Sequence, residues 1–192
     1  YYGNATFDDA GTSEASQFLL RLYLERRSSR LRAPLERAIS FVLDSQYENG
    51  GWPQRFPFVN DAPSLHGHPD YTRYITFNDA VADENIKFLL MVYRTLGGER
   101  ALAAIRRAME IFIVTQQPAP QAGWGLQHHH ETLAPIGARS YEPDALATHT
   151  TAGNIAQMMD FYEWTGDARF IARIPEALDW LQSVRLPADQ IQ

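Results

Sequence analysis

Residues able to do chemistry are concentrated in two segments, 47–78 and 117–149. The first holds Gly50-Gly51-Trp52-Pro53-Gln54-Arg55-Phe56-Pro57, then His66, His68, Tyr71, Arg73 and Tyr74, and ends on Asn78-Asp79. The second holds Gly123-Trp124-Gly125-Leu126-Gln127-His128-His129-His130-Glu131, then Arg139, Tyr141, Glu142 and His149. Exposed indole and tyrosine rings would offer flat apolar faces to sugar rings. Arginine offers a forked, permanently charged partner for a carboxylate. This mixture suits an acidic carbohydrate.

Each of these residues also has a plainer reading. Trp52 and Trp124 fall at related places in an internal repeat, so packing between units explains them equally well. Asp79 can be a helix cap, a place where Asp is preferred, and Asp9 at the equivalent repeat position strengthens that reading. Arg139 can pair with Glu142 and only pin its loop. Three adjacent histidines hint at a metal, yet adjacent side chains rarely converge on one ion, which argues against a His-only zinc site.

The elements that must position these residues come from that repeat. Thr6-Phe7-Asp8-Asp9-Ala10 resembles Thr76-Phe77-Asn78-Asp79-Ala80 at a shift of 70. Phe18-Leu19-Leu20-Arg21-Leu22-Tyr23 matches Phe88-Leu89-Leu90-Met91-Val92-Tyr93, and Ala38 and Gln46 match Ala108 and Gln116, at the same shift. A weaker third copy pairs Tyr162 with Tyr93 and Ala177 with Ala108, 69 residues on. A fixed period marks stacked supersecondary units, so the pairs Tyr23/Tyr93 and Phe18/Phe88 are expected to be buried at equivalent places.

Each unit reads as two helices. The first helices are expected over 12–27, 79–96 and 150–165, the second over 33–46, 99–116 and 168–184. Val81, Ile86, Leu89, Leu90, Val92 and Tyr93 make one apolar helical face. Pro34 suits a first helical turn, and Pro175 should kink or delay the last helix. No segment shows convincing strand alternation. The expected fold class is all-α: αα-hairpins forming an incomplete or small (α/α) barrel or toroid. Antiparallel hairpins place both long links on one rim, and links of about thirty residues far exceed the ordinary 2–8.

Composition narrows the function classes. The chain has 192 residues, 45% hydrophobic and 21% charged, suited to one globular domain. It contains no cysteine, which excludes disulfides, thiolate metal sites and a cysteine nucleophile. A net charge of −6 without a basic block makes nucleic acid an unexpected partner. No apolar run approaches the ~20 residues of a membrane span.

Taken together, Gly50-Gly51-Trp52-Pro53-Gln54, Ile75-Thr76-Phe77-Asn78-Asp79, Gly123-Trp124 with Gln127-His128, and Ala138-Arg139-Ser140-Tyr141-Glu142-Pro143 resemble the family 10 pectate lyases in order and approximate spacing. Ala5-Thr6-Phe7-Asp8 resembles a stretch upstream in that family. The resemblance covers essentially the whole chain, read as one catalytic-type domain over 1–192 without both ends of the complete one. It implies an α/α toroid, a cleft on the loop-bearing rim, secretion or periplasmic location, and calcium-assisted β-elimination of polygalacturonate. Asp79 is then the first candidate calcium ligand and Arg139 the grip on a substrate carboxylate. Trp52, Arg55, Tyr74, Asn78, Trp124, Gln127, His128, Tyr141 and Glu142 are the expected substrate-binding residues. The family's proton-abstracting base is an arginine, which by this placement lies beyond residue 192. Two departures from the family pattern are His129-His130 before Glu131, where an acidic residue often follows the Gln-His pair, and Thr148-His149-Thr150-Thr151, where a small-residue segment with a Glu is usual. A non-catalytic polyuronate-binding module and an unrelated toroid enzyme, such as a terpene cyclase, are the competing readings.

Overall fold

The computed structural model describes residues 4–58, 70–187 and 190. Among them run six α-helices: α1 (Gly11–Arg26), α2 (Ser29–Asp44), α3 (Val81–Leu96), α4 (Glu99–Thr115), α5 (Thr148–Thr165) and α6 (Ile174–Ser183). The repeat is exact at the level of backbone. Both α1/α3 and α2/α4 begin 70 residues apart, and a 3-10 turn precedes α1 and α3 at Asp8–Ala10 and Asn78–Ala80. On α3, Val81, Ile86, Leu89 and Val92 are buried, while Asp83 and Glu84 in the first turn and Arg94 in the last complement the helix dipole. On α4 the buried positions Ala101, Ala104, Ile105, Ala108 and Phe112 return at helical spacing and face the common core.

Polar side chains brace neighbouring units in the same way twice. Gln46 Nε2 donates to Gly50 O (3.0 Å) and to Ala104 O in the next unit (2.9 Å). Gln116 Nε2 donates to Ala122 O (2.9 Å) and Arg173 O (3.1 Å), the corresponding carbonyls one unit on. Gly50 has φ +99°, and a Cβ there would come within 2.1 Å of Arg107 O, so this tight passage requires glycine.

Short strands tie the rim together. β1 (Ala5–Thr6) pairs with β2 (Arg55–Phe56), and β3 (Ile75–Thr76), β4 (Gln127–His128) and β5 (Pro135–Ile136) form a second antiparallel sheet. Thr76 lies opposite Gln127, and Gln127 opposite Ile136. This register holds both long links at one end, as their connectivity requires. Two-residue strands are too short to show alternation in sequence, which is why none was expected.

Three expectations need correction. Phe18 is 64% exposed, whereas Phe88 is fully buried. Helix α3 has a described unit on each side, but α1 has one on one side only. Tyr23 and Tyr93 are equivalent, half-buried against the core rather than inside it. Pro34 lies inside α2, five residues past its first position, because the helix begins at Ser29. The carbonyl it leaves unbonded is that of Arg30, an exposed residue that water reaches. Pro175 does delay the last helix: a 3-10 turn at Ala168–Phe170 comes first, and Pro175 sits in the first turn of α6. Among the described residues no helix is long and apolar enough to cross a membrane.

Candidate active site

The 3-10 turns before α1 and α3 place the site's carboxylates. Asp9 and Asp79 both adopt the left-handed conformation, with φ/ψ of 51°/29° and 52°/29°, followed by Ala10 and Ala80 at φ 55°. Each such residue without glycine's freedom costs roughly 1–2 kcal/mol. The resulting turns bring oxygens of Asp8, Asp9 and Asp79 within 4.8 Å of one another. Asn78 Nδ2 donates to Asp79 Oδ2 (2.8 Å), and Gln54 Nε2 donates to Asp8 Oδ2 (3.2 Å). Asp8 Oδ1 is buried with no hydrogen-bond partner among the described residues. Among the described residues Asp79 caps no helix: Ala80 holds the N-cap of α3, which has no side-chain cap, and the Asp79 carboxylate accepts from Asn78.

Three like charges at this spacing repel unless a cation or protons intervene. Burial pushes the Asp79 pKa up to about 6, a hydrogen bond with Asp8 and the charges of Asp8 and Asp9 add to the rise, and Arg139 opposes it. A hard divalent cation takes several oxygens, carboxylates foremost. The donor set and the orphaned Asp8 oxygen fit such an ion.

Arg139 is held by a tight turn. Its Nε donates to Glu142 Oε2 (2.8 Å) and its Nη2 to Glu142 Oε1 (2.6 Å), while the Arg139 backbone N–H donates to Oε2 (3.1 Å). The Tyr141 ring lies 5.1 Å from the guanidinium carbon. Glu142 is 5% exposed. Burial pushes its carboxyl up, but the hydrogen bonds and charge of Arg139 outweigh burial and hold it below the usual carboxylate range. The hydrogen bond to Glu142 in turn raises the Arg139 pKa. Tyr71 joins this group: burial raises its phenol, and the charges of Arg139, Glu142, Tyr141 and Arg55 act on it. Arg139, Tyr141 and Arg55 therefore share one neighbourhood, and the field of Arg139 also reaches Asp79.

Other expected site residues are placed differently. Trp52 and Trp124 are fully buried, and their indole N–H groups donate to Val42 O (2.9 Å) and Phe112 O (3.0 Å). They pack the units together and present no face to a sugar. His128 is also fully buried: Nδ1 bonds Leu133 O (2.7 Å) and Nε2 accepts from Gly125 N (3.0 Å). Both of its nitrogens are occupied, so it pins the loop. Glu142 offers no open face to a substrate, since Arg139 takes both of its oxygens. Gln127 is 1% exposed, and neither end of its amide has a partner among the described residues. Tyr74 is half-buried against His129, at 5.9 Å between rings. His129 stacks on His130 at 4.8 Å, and His130 on Tyr47 at 5.3 Å, so these histidines belong to an aromatic stack. His66 and His68 lie outside the described residues. Asp8 and Asp9 were not expected here as ligands. The 70-residue repeat carried the signal, because equivalent turns on one rim bring their acids together.

The chain has well-defined likenesses. Two structures of a family 10 polysaccharide lyase from Cellvibrio cellulosa resemble it. One, a point mutant in complex with trigalacturonic acid, has a TM-score of 0.77 and 20% identity over 92% of this chain. The other has a TM-score of 0.70 and 22% identity over 81% of this chain. The chain spans 56% and 50% of those chains, about half their length. No curated protein matches it. The pectic acid lyase family model matches residues 2–192. An (α/α) toroid, a rim of two long loops and a match over nearly every residue lead to one conclusion: the chain belongs to the pectic acid lyase family.

Proposed function

We propose that this protein is a polysaccharide lyase cleaving polygalacturonate by calcium-assisted β-elimination. The observation that carries this reading is the meeting of Asp8, Asp9 and Asp79 on the same rim as Arg139, whose field reaches Asp79. The solved relative's trigalacturonic acid complex supports an acidic oligosaccharide as the ligand.

β-Elimination removes the C5 proton, α to the uronate carboxylate, and expels O4. Its obstacle is charge building on a group that is already anionic. Asp8, Asp9 and Asp79 are the residues that would hold calcium. When bound, calcium supplies Lewis-acid stabilisation of that developing charge. Arg139 binds a substrate carboxylate through the edge of its guanidinium that Glu142 does not cover. The exposed Tyr141 ring lies against Arg139, and Arg55, whose charge acts on the same Tyr71, joins it in orienting the sugar. Asn78 holds the Asp79 carboxylate at Oδ2. The proton-abstracting base is assigned to no described residue.

The test is lyase activity of the intact chain on polygalacturonate, read as absorbance of the unsaturated product, with calcium and with chelator. Calcium-dependent product supports the reading. Binding of trigalacturonic acid without product would leave a polyuronate-binding module.

A further inference from the structure

We propose that Glu142 is a positioning residue that aims Arg139 at the substrate carboxylate. This rests on the reading of Arg139 as the carboxylate-binding group. Glu142 is an anion next to a site for anions, which by charge alone would weaken binding. Its geometry gives it a use. The carboxylate takes Nε and Nη2 along one edge of the guanidinium and the Arg139 backbone N–H as well, so side chain and main chain are fixed by one group. Two further main-chain bonds close the turn: Glu142 N donates to Arg139 O (2.8 Å) and Ala138 N to Glu142 O (3.0 Å). The Tyr141 ring covers one guanidinium face. What remains is Nη1, which makes no hydrogen bond among the described residues.

An arginine without this anchor has a competing anionic partner in the acid cluster. Its charge opposes the rise that burial and the neighbouring acids impose on the Asp79 carboxyl. Released from Glu142, the flexible side chain is drawn toward the Asp8, Asp9 and Asp79 cluster, where it would both leave the substrate position and compete with a cation. Glu142 thus holds Arg139 apart from the acids it would otherwise neutralise. A fork-to-fork pair suits this role because it fixes orientation as well as distance.

The experiment is calorimetric titration of the intact chain with trigalacturonic acid and with a neutral galactose trisaccharide, for wild type, Arg139→Ala, Glu142→Gln and Glu142→Asp. Glu142→Gln keeps size but loses the charge and one acceptor. It should weaken trigalacturonic acid binding roughly tenfold and leave the neutral sugar unchanged. Glu142→Asp keeps the charge on a shorter arm and should fall between wild type and Gln. It also serves if the Gln variant fails to fold. Unchanged or tighter acidic binding in both Glu142 variants would overturn the proposal, because Glu142 would then only dampen the charge of Arg139. If Arg139→Ala lost acidic and neutral ligands equally, the reading of Arg139 would fall, and this proposal with it. Selective loss in Arg139→Ala without loss in the Glu142 variants would overturn the positioning role alone.

Discussion

Asp9 and Asp79 stand 70 residues apart, share one left-handed backbone conformation at φ 51° and 52°, and close a single carboxylate cluster with Asp8. A repeat that is ordinarily a packing device here doubles a turn, and the doubled turn assembles a site that neither copy could make alone. Under the proposed calcium role, Asp9 and Asp79 would hold one cation together. Strained backbone repeated at equivalent positions beside a charged cluster is where function and local propensity part company.

Asp79→Asn should separate metal binding from folding. Asn tolerates the left-handed conformation and keeps the size of Asp. With one of three like charges removed, the melting temperature in chelator should hold or rise. Calcium affinity, measured by calorimetry, should fall about tenfold or more with loss of an anionic ligand. In wild type the same affinity should weaken as pH drops below about 6, where Asp79 takes up a proton. Equal calcium affinity in both proteins would remove Asp79 from the metal site.

Arg139→Ala should weaken binding of an acidic oligosaccharide about tenfold to a hundredfold, the worth of a charged hydrogen bond at roughly 1.5–3 kcal/mol. A neutral oligosaccharide of the same length should lose little. Equal losses, followed by titration of both ligands, would mean that the Arg139–Glu142 pair only shapes the loop.

The path from sequence to site was partly legible, for physical reasons. The 70-residue period, the helical faces and the shared rim follow from patterns that local chemistry imposes, and the structure carries them. Burial of Trp52 and Trp124 was not legible, because an indole at a loop position serves equally as a sugar platform or a wedge between units. The distinction lies in whether its N–H meets a carbonyl, here Val42 O and Phe112 O, and that is a tertiary fact. The meeting of Asp8 with Asp79 was hidden for the same reason, since spacing along the chain does not give spacing across a rim. Arg139 and Glu142, three residues apart, could be paired from sequence, but not the fact that the pair consumes both oxygens of Glu142.

Trp52→Phe offers a direct test of the corrected role. Phenylalanine removes the indole donor and leaves Val42 O buried without that partner, and the smaller ring leaves space. The cost should be about 2–4 kcal/mol by chemical denaturation. Affinity of the folded protein for trigalacturonic acid should stay near wild type. Lost affinity with unchanged stability would restore Trp52 to the binding surface.

His128 gives a pH dependence whose sign is fixed by its surroundings. Burial lowers its pKa to about 4, although the bond to Leu133 O pulls the other way. In the unfolded chain an imidazole titrates near about 6.5. A base with a depressed folded pKa contributes stability that is fully present above about 6.5 and lost as pH falls toward 4, because the unfolded state binds the extra proton. The span of about 2.5 pH units corresponds to about 3 kcal/mol. Asp79 and Asp83, both raised to about 6 with burial as the leading cause, act in the opposite direction: their contribution is present at low pH and lost as pH rises through 6. The whole-protein curve is therefore flattened, and the imidazole must be isolated by difference. Denaturation of wild type and His128→Gln in chelator, from pH 7.5 down to pH 4, should show the wild-type advantage shrinking steadily below about pH 6.5. A gap that stayed constant across that range would mean that His128 does not titrate between the folded and unfolded chains as its burial requires.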